Sequence, residues 1–253
     1  MIKDYLNLPE EIEGIGKVYP VSILEWETFL ALAQRFLLYS YDMLKYKFKI
    51  EQEISMLDFI FALILQADDE DERVQGIVDL QTLFTIVLKE EVKAFYNTHS
   101  HEWVLVIGEN KGEINKDNFD VLKPILLRQN LLFEPLIANN DLGQQIIDDA
   151  IQRLSKGGDP VDLESMIAVV SVIKGIAPSE FDNYSYYQLR ADYEISQRLE
   201  NNRITHLYRS QGGKAEPVSL VSPMTIHENP YGFDKLFNKM DMNKEKQFQK
   251  MLS

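Results

Sequence analysis

Apolar residues recur at helical spacing through most of this chain. Trp26, Phe29, Leu30, Ala33 and Leu37 repeat at helical intervals behind Ser22-Ile-Leu-Glu25, which has the form of a capping box. A second apolar helix is expected over residues 54–66, with Ser55 and Asp58 placed to cap it. The acidic run at 68–72 then precedes a long helical pattern: Val74, Ile77, Val78, Leu83, Phe84, Val87, Leu88, Val92 and Phe95. Negative charge at a helix N-terminus opposes the macrodipole favourably. Trp103-Val-Leu-Val-Ile107 reads as strand, and the turn residues Gly108 to Gly112 before Glu113 and Ile114 predict one small hairpin. A helix follows from near Asp117 through Pro124, a proline deep enough that the helix should start late or kink. Another covers 140–154 and ends at Lys156-Gly-Gly158; Asp159 then caps a helix with Pro160 first and Gly175 at its close.

The pattern changes after Pro178. Ser185-Tyr-Tyr-Gln188 is a second capping box and starts a helix. Tyr186, Leu189, Tyr193, Ile204, Leu207 and Tyr208 fall on one face of it, with Gln197 and Glu200 interrupting the stripe. Such a helix is only partly absorbed by its own domain. Beyond Gln211, Gly212-Gly213 opens a stretch with Pro217, Pro223 and Pro230 and no apolar period, which reads as flexible. Phe233, Leu236, Phe237 and Met240 then form a short amphipathic stripe ahead of the lysine-rich 244–250. A helix this short does not fold alone; it docks in a partner's groove or folds back on its own body. The expected architecture is mainly α: a multi-helix, bundle-like body over 1–175 with one small β-hairpin, a helical C-terminal arm over 176–211, and a flexible tail over 212–253.

Composition narrows the function. The 45% hydrophobic and 26% charged residues are those of an ordinary globular protein. The absence of cysteine excludes disulfides, thiol catalysis and cysteine-based zinc sites. No signal peptide is apparent. The longest apolar stretch, 54–65, is broken by Asp58 and falls short of the roughly 20 residues a bilayer requires. A cytoplasmic protein is the simplest reading. Residues 1–175 carry 30 acidic against 16 basic side chains, whereas the rest is balanced at ten of each. The whole net charge of −14 therefore sits on the body. It repels nucleic-acid phosphates and anionic membranes and opposes self-aggregation, or it is simply a solvated surface.

Chemistry is not apparent. His99-Ser-His101 has the spacing of two metal ligands but no evident third, and His206 and His227 have no relay neighbours. The carboxylate pairs Asp148-Asp149 and Glu90-Glu91 read as solvated faces, with nothing to separate an acid from a base. Gly14-Ile-Gly16-Lys17 reads as a turn, and dinucleotide, phosphate-loop and serine-elbow motifs are missing. The expectation is a protein that is not an enzyme and takes no cofactor or metal. Its candidate sites are partner contacts: Phe181, Tyr184, Tyr186, Tyr187, Leu189, Arg190 and Tyr193 at the arm, and Phe233, Leu236, Phe237 and Met240 in the tail. Tyrosine and arginine favour interfaces because they join contact area to a polar handle. Phe181 and Tyr186 are also placed to staple the arm to the body.

Ser179-Glu-Phe-Asp182, Ser185-Tyr-Tyr-Gln-Leu-Arg-Ala-Asp192 and the early Ile15-Gly-Lys-Val-Tyr-Pro20 together resemble the tail assembly chaperones of long-tailed bacteriophages of Gram-positive hosts. The resemblance covers roughly the last third of the chain with some specificity. It implies a helical protein of the host cytoplasm, absent from the finished virion. Such a protein keeps the tape-measure protein soluble, recruits tail-tube subunits and self-associates on its partner. It also implies that the acidic body binds tape measure and that 181–193 and the tail recruit tube subunits. Two rival classes stand beside it: an acidic mimic of nucleic acid that blocks a host protein, and a minor head–tail component of the virion.

Overall fold

Short polar side chains set out the architecture by fixing where helices begin. In the computed structural model, which describes residues 2–50, 54–109, 111–155, 161–230 and 232, a four-residue turn α1 (Ile2–Tyr5) precedes strands β1 (Glu10–Ile12) and β2 (Gly16–Val18). A 3-10 turn at Ile23–Glu25 leads into α2 (Trp26–Phe36), and a π-helical turn at Met43–Lys47 leads towards α3 (Met56–Leu65) and α4 (Glu70–Leu88). Strands β3 (Val92–Asn97), β4 (Glu102–Ile107) and β5 (Gly112–Ile114) follow. The chain then forms α5 (Lys116–Gln129), α6 (Asp141–Ser155), α7 (Leu163–Lys174), a 3-10 turn at Pro178–Asn183 and the 25-residue α8 (Tyr186–Ser210). The fold is mainly α with two small antiparallel sheets, β1–β2 and β3–β4–β5.

The expected caps are present at several starts. Ser55 accepts a hydrogen bond from the Asp58 amide at 3.1 Å and begins α3; Asp69 accepts from Asp71 at 2.9 Å and begins α4. Ser185 and Gln188 form a reciprocal capping box at α8. Ser22 behaves differently. Its hydroxyl donates to the Glu25 carboxylate at 2.7 Å and caps no backbone amide, so a 3-10 turn intervenes before α2.

Three expectations need correction. The long pattern after the acidic run does not remain helical to Phe95: α4 stops at Leu88, where Lys89 turns left-handed at φ 57°. Val92 then donates to the Thr85 hydroxyl at 3.2 Å and opens β3, which pairs with β4 from Val92↔Ile107 to Asn97↔Glu102. The expected hairpin is thus the second half of a three-stranded sheet, and a further hairpin, β1–β2, has its turn at residues 13–15, so that Gly16 and Lys17, read as part of a turn, are paired residues of β2. That tip rests on β5, where the Glu113 amide donates to the Gly14 carbonyl at 3.0 Å. A Cβ at Gly112 would lie 2.6 Å from the same oxygen, so only glycine permits this approach. Finally, of the two outcomes expected from Pro124, a late start or a kink, the late start does not occur: α5 begins at Lys116. The Asn115 capping box holds its first turn with Pro124 inside the helix. The cap of α7 is Asp162; Lys156, Gly157, Gly158, Asp159 and Pro160 lie outside the described residues.

The main core joins α2, α3, α4, α5 and the inner faces of both sheets around Phe29, Phe61, Phe84 and Phe119, all essentially inaccessible to solvent. Each such side chain contributes about 1.5–3 kcal/mol by leaving water. Buried polar groups tie the connecting segments to it. The Lys123 ammonium bonds both the Tyr39 carbonyl and the Glu134 carboxylate, and the Asn130 side chain accepts from the Val21 amide at 3.0 Å while donating to the Leu126 carbonyl. No helix among the described residues is long and apolar enough to cross a membrane.

Candidate partner-binding surface

The arm begins where backbone meets backbone. The Ile23 amide donates to the Tyr184 carbonyl at 2.8 Å, and Ser22 and Ser185 form an isolated antiparallel bridge. Side chains reinforce this seam. Tyr186 stacks on Trp26 with ring centroids 3.8 Å apart and planes 8° from parallel. Phe181 enters a small second core with Ile23, Met166, Val170 and Leu189. Tyr187 enters a third with Ala191 and Ile226, where its hydroxyl lies 3.2 Å from His227. Of the residues read as partner contacts, Phe181, Tyr187 and Leu189 are therefore buried at 2%, 3% and 0% exposure, whereas Tyr184, Tyr186, Arg190 and Tyr193 are half-buried. Phe233, Leu236, Phe237 and Met240 lie outside the described residues.

A polar cluster locks the other side of α8. Asp192, 4% exposed, receives the Lys174 ammonium and the Tyr5 hydroxyl, joining α7, α8 and α1. Burial alone would lower the Lys174 pKa, but its bonds to Asp192 and the Tyr184 hydroxyl outweigh that and hold it above the usual lysine range. Burial raises Tyr5, with the Asp192 charge adding to the effect, and burial likewise raises Tyr186 and Tyr187. These shifts lock each group in its usual charge state at neutral pH. His99 and His101 sit in the β3–β4 turn, and among the described residues no three His, Asp or Glu side chains group to hold a metal.

The stretch after α8 has no regular secondary structure, in keeping with its glycines and prolines, yet it is tied along the helix as an antiparallel strap. Asn202 donates to and accepts from Val218; Arg198 donates to the carbonyls of Ser222 and Pro223, both at 2.7 Å; Glu194 accepts from the amides of Thr225 and Ile226. The strap starts beneath the Tyr208 ring. A Cβ at Gly213 would fall 2.1 Å from it, so this residue has no room for a side chain unless Tyr208 swings away. Glu194, Arg198 and Asn202 are spaced i, i+4, i+8, a polar stripe that could be read from sequence as a row of hydrogen-bonding side chains on one face.

Two surfaces result. The first is a cleft of about 750 Å³ between α2, the segment after α5, α8 and the strap. Leu30 of α2, Leu38 just beyond that helix, Leu132 and Phe133, and Tyr186, Arg190 and Tyr193 of α8 line it, together with Ile226 and Pro230. It unites three of the expected arm residues with α2 and post-α5 residues that no local signal marked. The second is the far half of α8, where Leu199, Ile204, Leu207 and Tyr208 are between 42% and 59% exposed. The predicted stripe thus divides: Tyr186, Leu189 and Tyr193 pack or line the cleft, while Ile204, Leu207 and Tyr208 face water.

With this geometry in view, no family model and no solved structure matches the chain. Over 153 residues, 60% of its length, it is 24% identical to a Bacillus subtilis (strain 168) protein described as "SPbeta prophage-derived uncharacterized protein YomV". The matched stretch spans 62% of that protein, less than two thirds. The chain is thus similar to a prophage-derived protein. The prophage relative's description assigns it no partner.

Proposed function

We propose that this chain is a non-catalytic phage tail assembly chaperone of the host cytoplasm, one that keeps the tape-measure protein soluble and recruits tail-tube subunits. The observation that carries the reading is the far half of α8. A helix anchored by stacked rings and two small cores carries Leu199, Ile204 and Leu207 into solvent, beyond the part that its own domain covers. Exposed apolar side chains on a rigid helix are a contact surface for another apolar helix. The prophage relationship supports the biological setting. No nucleotide is needed for release, because polymerising tube subunits displace a bound chaperone by mass action.

The acidic-mimic reading is less favoured. A mimic requires carboxylates free to imitate phosphates, yet many here are engaged within the chain. Asp69 and Asp162 cap helices, and Asp79, Glu25, Asp4, Glu10, Asp192 and Glu194 pair with Arg35, Lys89, Arg128, Arg128, Lys174 and Arg198. Co-expression of the tagged full chain with tape-measure and tail-tube proteins from the same genome tests the proposal. The expected result is a soluble complex with tape measure that Ile204→Glu/Leu207→Glu disrupts without loss of fold. Absence of a complex with either protein overturns the reading, and finding the chain in purified virions favours a structural component instead.

A further inference from the structure

The cleft beside α8 and the end of the chain are adjacent. The strap descends α8 from Gly213 to Ile226, and its continuation through Glu228 and Pro230 forms part of the cleft wall. Phe233 is three residues beyond Pro230, a span of at most about 10 Å when extended. The exit thus delivers the terminal segment to an apolar concavity without a long loop to close.

We infer that the cleft between α2 and α8 is the docking site of this chain's own segment 233–240, which seats its apolar stripe there. Phe233, Leu236, Phe237 and Met240 are spaced i, i+3, i+4, i+7, the pattern of anchors that an amphipathic helix lays into a groove. The cleft offers matching surface in Leu30, Leu38, Leu132, Phe133 and the Tyr186 ring. Its volume of about 750 Å³ accommodates several large apolar side chains. Charge favours the same occupant. Residues 233–253 carry five lysines against three acidic side chains, whereas residues 1–232 carry 37 acidic against 21 basic. A net basic segment is attracted to an acidic body, and tethering raises its effective concentration far above that of a second copy. Docking in this way leaves the far half of α8 uncovered, so the inference stands apart from the chaperone reading.

The chain has no cysteine, which allows two labels to be placed cleanly in the full-length protein. Gln34, an exposed α2 residue on the cleft wall, and Lys239 on the polar side of the segment are the positions chosen. Spin labels on Gln34→Cys/Lys239→Cys are expected to give one narrow distance distribution that persists when labelled protein is diluted with unlabelled protein. Adding Leu236→Ser/Phe237→Ser, which alters only the terminal segment, should abolish that narrow population while circular dichroism stays unchanged. A broad distribution in the doubly labelled parent overturns the inference. So does a short distance lost on dilution, which would assign the cleft to a second copy, or one indifferent to the serine substitutions.

Discussion

Phe181 illustrates how one residue type serves two demands. It was a candidate partner contact and a candidate staple, and its ring is buried against Ile23, Met166, Val170 and Leu189. Phe181→Ala leaves a cavity in a core too small to relax around it, and should cost about 3–5 kcal/mol of local stability. Chemical denaturation followed through the arm measures this; a loss below about 1 kcal/mol would mean that the ring is not the anchor. Glu25 makes a different case. Burial would raise its pKa, but hydrogen bonds from Lys89 and Ser22 prevail and lower it. A carboxylate depressed in the folded state adds stability above its unfolded pKa and loses it as pH falls through the folded one. Wild-type protein and Glu25→Gln should therefore differ by a constant amount, screened to under about 1 kcal/mol, above roughly pH 5. The gap should close as pH drops below about 4. Urea midpoints across that range check it, and a gap that widens in acid would contradict the assignment.

At the scale of elements, what was legible follows from how local each signal is. Ser55, Asp69 and Ser185 cap helices through amides two or three residues away, and Gly175 ends α7 in the left-handed conformation that glycine favours. All of that is written within one turn. The end of α4 was not legible because a lysine occupies the left-handed position, and because Val92 and Phe95 extend a helical spacing while their partners, Ile107 and Val104, lie far along the chain. The strap was hidden for a related reason. Its backbone groups are satisfied by Glu194, Arg198 and Asn202 of α8 rather than by any partner in its own sequence. Half of the candidate site was readable, the Tyr186–Arg190–Tyr193 wall; the α2 and post-α5 walls meet it only through tertiary packing. Arg198→Ala should release the strap, since it removes two carbonyl contacts at once. Amide exchange over 216–226 is expected to quicken about tenfold, with far-ultraviolet dichroism unchanged. Unaltered exchange would show that Glu194 and Asn202 suffice.

For the whole molecule, the question is whether the arm unfolds with the body or apart from it. The two tryptophans sit on opposite sides of that question. Trp103 stacks on Phe61 in the main core, with centroids 4.7 Å apart, whereas Trp26 stacks on Tyr186 at the base of the arm. Trp26→Phe and Trp103→Phe variants therefore give two single-reporter proteins, each keeping an aromatic ring at the altered site. Backbone bonds at Tyr184, the Trp26–Tyr186 stack and the second core all cross between arm and body, and Ile23 belongs to the element that joins them. Coupling of this kind makes unfolding cooperative, so both reporters should give coincident denaturation midpoints in the otherwise native chain. Phe181→Ala weakens only the second core, and in that background the Trp26 transition should move to lower denaturant while the Trp103 transition holds its place. Midpoints that already diverge without the substitution would mean that 176–211 is an independent unit, leaning on the body without being part of it. Midpoints that stay together in Phe181→Ala would place the coupling in the Trp26 stack and the backbone seam, making Tyr186→Ala the next substitution to separate them.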